Sequence, residues 1–119
     1  MKVLYKAIFL SWMLWLGAGA QMSEATPPSE IQLQYDRDRK VLAIQVAHVT
    51  RDLTEHFIRK ILVYKNEEAP LSYFFTRQPS ADELKTEVHL ELKAGDTARV
   101  KAVCSKAGFK EETLLIIKE

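Results

Sequence analysis

Residues 84–92, LKTEVHLEL, alternate without a break. Leu84, Thr86, Val88, Leu90 and Leu92 fall on one side of an extended chain, and Lys85, Glu87, His89 and Glu91 on the other. A strand with that pattern buries one face and wets the other, so it needs a second layer over its apolar side. The same period recurs on both flanks. IQLQY (31–35) sets Ile31, Leu33 and Tyr35 against Gln32 and Gln34, and after a polar RDRK turn VLAIQVAH (41–48) places Leu42, Ile44 and Val46 on one face with His48. TARVKAVC (97–104) alternates again after a KAGD turn. HFIRKILVYKN (56–66) has apolar spacing that also fits a short helix, but its β-branched and aromatic content and the turn-like KNEEAP favour a strand. With LSYFFT (71–76) and ETLLIIK (112–118) the count reaches about seven strands, spaced as sandwich strands are. The predicted fold is all-β, an immunoglobulin-like β-sandwich of about seven strands without the Cys…Trp…Cys signature of antibody domains.

The N-terminus has a different character. Lys2 and Lys6 precede an apolar run, AIFLSWMLWLGA (7–18), and small residues at Ala18 and Ala20 precede Gln21. That is the pattern of a secretory signal peptide over residues 1–20. The run is shorter than the roughly 20 residues that span a bilayer. Residues 21–29, QMSEATPPS, form a flexible polar leader, and residues 30–119 the domain. The expected product is exported, periplasmic or secreted, and free of the membrane once cleaved. Cleavage removes Lys2 and Lys6, leaving 15 of the 17 basic residues against 16 acidic ones, a net charge of about −1. That balance excludes a nucleic-acid or anionic-membrane binder, which needs a clustered basic face.

Chemistry-bearing motifs are few. There is no glycine-rich phosphate loop, no G-x-S-x-G elbow and no helical histidine pair of the zinc-protease type. Cys104 is the single cysteine, so it cannot close an intrachain disulfide. It is a packed thiol, an intermolecular bridge or a ligand. His89 alternates with Lys85, Glu87 and Glu91 and belongs to the solvent face. His48 ends one strand, His56 begins the next across a short loop, and Cys104 ends a third. Three strand ends at one end of a sandwich can bring these side chains together. Two imidazoles and a thiolate are a donor set for iron, copper or zinc. The plainer alternative is two ordinary histidines and a buried thiol.

At these residues LTEHFIRKILVY (53–64), with LKAGDTARVKAVCSKAGFKE (92–111), resembles the iron-binding domain of desulfoferrodoxin and superoxide reductase. The likeness spans roughly His48 to Glu112, and that family is also an immunoglobulin-like sandwich. The resemblance implies mononuclear iron, with His48 and His56 as two of four planar histidine ligands and Cys104 as the axial thiolate. It further implies superoxide reduction and an electron donor. Two family ligands have no counterpart. Ala107 stands three residues after Cys104, where the family has histidine, and Glu24 to Val46 contains none. HFIRKILVYKN and the late GD turn are also similar to the partner subunit of the periplasmic sulfur-oxidation carrier complex. That resemblance implies a metal-free module that binds another protein through a strand edge.

Overall fold

The computed structural model describes residues 26–117; the predicted signal peptide and the first five residues of the leader lie outside the described residues. Seven strands follow one another: β1 (Glu30–Asp36), β2 (Val41–Ala47), β3 (Ile58–Lys65), β4 (Leu71–Phe74), β5 (Glu83–His89), β6 (Thr97–Cys104) and β7 (Phe109–Leu115). They form two antiparallel sheets, one in the order β1-β2-β5 and the other β4-β3-β6-β7. The predicted all-β sandwich is the fold observed.

Alternation in the sequence becomes alternation in burial. In β2, Leu42, Ile44 and Val46 point into the sandwich, and in β6 so do Ala98, Val100, Ala102 and Cys104. Leu84 and Val88 of β5 and Ile61 and Val63 of β3 complete the same core. His89 lies exposed at the end of β5, as its alternation required.

The helix-like spacing within HFIRKILVYKN has a definite cause. Ile58 and Ile61 are both fully buried although three residues apart. The register of β3 against β6 shifts between Ile58 and Lys60, where Ile58 pairs with Cys104 and Lys60 with Val103. A bulge of this kind inserts one residue and resets the face, so a helical period arises inside a strand.

The last strand starts earlier than ETLLIIK suggested, at Phe109. Cys104 donates its N–H to the Gly108 carbonyl at 3.1 Å, and Gly108 takes φ 78°, so the chain reverses at once. Within β7 only Leu114 is partly buried, and the strand is held by backbone pairing to β6 along Val103–Thr97. Its apolar residues therefore gave a misplaced boundary.

At the far end of the first sheet Tyr35 ties β1 to the segment after β5. Its hydroxyl donates to the Leu90 carbonyl at 2.6 Å and accepts the Leu92 N–H at 2.9 Å. Tyr35→Phe strands both partners in a part-buried position. It should lower unfolding free energy by about 1–3 kcal/mol in urea titration.

Candidate metal centre

Three strand ends deliver the site. His48 directly follows β2 and keeps its inward phase, held by its N–H to the Asp82 carbonyl at 3.0 Å and by Thr50 N–H to the Ala81 carbonyl at 2.7 Å. His56 closes a turn before β3, donating its N–H to the Asp52 carbonyl at 2.9 Å. Cys104 is the last residue of β6.

The turn that aims His56 is organised by the Asp52 carboxylate. Its Oδ1 accepts the N–H groups of Thr54 (3.2 Å) and Glu55 (3.1 Å) and the Thr54 hydroxyl (3.2 Å). The Thr54 N–H foremost, helped by the Thr54 hydroxyl, the Glu55 N–H and the Lys106 charge, holds this carboxyl below its usual range against the opposing effect of desolvation. A lowered folded-state value means the stabilisation is complete above the ordinary carboxylate range and is lost as pH falls through the lowered value.

Ser105 joins the other two strand ends. Its N–H donates to the Phe57 carbonyl at 2.8 Å, its hydroxyl oxygen accepts the Phe57 N–H at 3.1 Å, and the hydroxyl donates to the Glu55 carbonyl at 2.9 Å. The residue after Cys104 thus grips both neighbours of His56.

His48, His56 and Cys104 consequently meet. All three are buried, and one donor atom from each lies within 4.8 Å of the others. The two imidazoles pack edge to face with centroids 4.7 Å apart. The Cys104 sulfur accepts the Lys106 N–H at 3.4 Å. Donors bound to a single ion at 2.0–2.3 Å stand about 3.5 Å apart, so closing on an ion needs movements of about 1 Å. His89 lies elsewhere, and Ala107 adds no donor.

Gln78, in the loop before β5, decides the state of His48. Its amide Nε2 donates to the His48 carbonyl at 2.7 Å and to the Ser80 carbonyl at 2.9 Å. Both amide hydrogens are therefore used, and the orientation of the amide is fixed. Its Oε1 accepts the Ile58 N–H at 3.2 Å and faces His48 Nδ1 at 2.8 Å. An acceptor there requires the proton of His48 on Nδ1. A neutral His48 then carries a bare lone pair on Nε2.

That lone pair meets another acceptor. The Thr26 carbonyl oxygen lies 3.1 Å from His48 Nε2 and 3.1 Å from His56 Nε2. A donating His56 satisfies its side of this contact, whereas His48 Nε2 and the carbonyl oxygen oppose each other. A cation or an additional proton resolves the conflict. A histidine whose Nδ1–H is fixed by an outer oxygen, and whose ring lies beside a second histidine and a cysteine, is arranged as metal ligands are. The residues present fit a transition-metal ion, which would gain two imidazoles and a thiolate from them.

The sequence identified the three side-chain donors and gave no sign of Gln78, a single polar residue in the RQPSADE loop. It is fully buried at 0% exposure. Compared with protein-family models, curated proteins and solved structures, the chain matches none of them.

Gln78→Leu keeps the approximate volume and removes four hydrogen bonds. Each stranded buried partner costs about 1–3 kcal/mol, so the total loss should reach at least about 3 kcal/mol in denaturant unfolding of the metal-free chain. A loss below about 1 kcal/mol would show that the amide is not the organiser described.

Proposed function

We propose that this β-sandwich binds a single transition-metal ion through His48, His56 and Cys104. The observation that carries the reading is the convergence of His48, His56 and Cys104, with the Gln78 oxygen on His48 Nδ1 and its Nε2 turned to the Thr26 carbonyl. Burying two imidazoles and a thiol at a sandwich end sacrifices apolar packing, and the core beside it is otherwise aliphatic. An ion that all three donors share offsets that cost.

The resemblance to desulfoferrodoxin and superoxide reductase extends the reading to iron and to one-electron chemistry. This chain offers three of the five side-chain ligands of that family, and Ala107 stands in one missing place. Ligand identity sets affinity and potential, so the reading supported here is metal binding rather than superoxide turnover. Export, as the residues before Gln21 suggest, would put the centre outside the cytosol.

A second reading rests on a separate observation. Phe74 on edge strand β4 and Phe109 on edge strand β7 are exposed at 70% and 54%, and they lie in one cross-strand row with Lys60 and Val103. Exposed apolar edges favour contact with another chain, as in the sulfur-carrier partner subunit the sequence is similar to.

One experiment separates the two. The purified full-length chain is dialysed against zinc, copper or, without oxygen, ferrous iron. At least one of these ions should remain at one per chain. His56→Ala and Cys104→Ser should each weaken that ion at least about tenfold, the effect that even outer-shell changes produce. A chain that releases every ion, or holds one unaltered by Cys104→Ser, removes the metal reading and leaves the edge-contact one.

A further inference from the structure

We propose that the ion is copper and that the backbone carbonyl of Thr26 is its fourth donor. The inference rests on the metal-binding reading and adds a residue and an ion to it.

The carbonyl is not there by accident of a loose tail. Ser29 anchors the segment before β1 to β2, with its N–H 2.9 Å and its hydroxyl 3.3 Å from the Ala47 carbonyl. Pro28 is buried. Pro27 lies over the turn that follows Cys104. A Cβ built on Gly108 would stand 2.7 Å from the Pro27 Cβ, a separation no real pair adopts. Glycine at 108 therefore serves twice, for its φ of 78° and for the approach of Pro27. Two prolines restrict the backbone further. The result is a short strap whose last described carbonyl, that of Thr26, stands 3.1 Å from both imidazole Nε2 atoms.

Two acceptors facing each other at 3.1 Å need a positive charge between or beside them, and an ion bound by both relieves the opposition at His48; the Cys104 thiol proton, and a His56 Nε2 proton given to Thr26 where that nitrogen binds, leave as the ion enters. The donor set then comprises two imidazole nitrogens, one thiolate and a neutral backbone oxygen. Structural zinc sites take four strong ligands, most often with two or more cysteines. A histidine pair and one cysteine, with only a backbone oxygen as a weak further donor, is the combination associated with protein copper. Copper also stands above iron and zinc in the general order of divalent affinity. Cys104 is 4% exposed, so a second thiol cannot reach it to form the disulfide that cupric ion promotes between open cysteines.

The test uses the full-length chain with cupric ion, zinc and, without oxygen, ferrous iron as probes, one equivalent each. Cupric ion should bind one per chain, raise the melting temperature, and give a strong visible thiolate-to-copper band that persists for hours. Cys104→Ser should abolish the band. Pro27→Gly, which loosens the strap and leaves every side-chain donor in place, should weaken copper binding about tenfold and shift the band; circular dichroism checks that the variant folds. If zinc or ferrous iron binds at one per chain while cupric ion gives no band, the copper assignment falls and the metal site stands. If no ion binds, both fall. A Pro27→Gly protein with unaltered copper affinity and spectrum overturns the role of Thr26.

Discussion

Both hydrogens of the Gln78 amide are committed to backbone carbonyls, and the rest of the site follows from that. The amide cannot flip without turning its oxygen toward the carbonyls of His48 and Ser80. Its oxygen therefore stays on the Ile58 N–H and on His48 Nδ1. One buried side chain links the end of β2, the start of β3 and the loop before β5, which belong to different sheets. It also chooses the tautomer of His48 and so determines which ring nitrogen is available to an ion.

Around this hub the sandwich end is built from polar staples rather than from apolar packing. Asp52 shapes the turn into His56, and Ser105 fastens the Cys104 end to the Phe57 backbone. The bulge between Ile58 and Lys60 resets β3 so that Ile58 opposes Cys104 while Ile61 and Val63 stay inward. Each device costs something locally, as a bulge interrupts the ladder and buried polar groups need every partner satisfied. Their convergence on two histidines and a cysteine is what distinguishes this end from the opposite one, where Tyr35 and Leu92 close the apolar core of the sandwich.

Much of this was legible in the residues. Period-two alternation in LKTEVHLEL, VLAIQVAH and TARVKAVC yields the strands, their inward faces and the solvent position of His89, because a half-buried strand admits one phase only. Strand-end placement likewise brought out His48, His56 and Cys104. Two boundaries were less clear for physical reasons. The bulge imposed a helix-like interval on Ile58 and Ile61, and β7 pairs through its backbone with almost no side-chain burial, so its hydrophobicity marks the wrong residues. Gln78 and the Thr26 carbonyl were invisible altogether. A lone glutamine in a loop resembles any solvated residue, and a backbone oxygen is present at every position. Only the assembled fold shows which of them is buried and what it faces.

Gln78 holds the proton of a neutral His48 on Nδ1 and leaves Nε2 bare for an ion. Nitrogen-15 NMR of the imidazole rings in the full-length chain reads this directly, at about pH 8 where an ordinary imidazole is neutral. The metal-free protein should show His48 protonated at Nδ1 alone, and one equivalent of zinc or copper(I), neither of which is paramagnetic, should move its Nε2 resonance while Nδ1 keeps its proton. A proton found on Nε2, or a His48 ring that either ion leaves unmoved, would contradict the account.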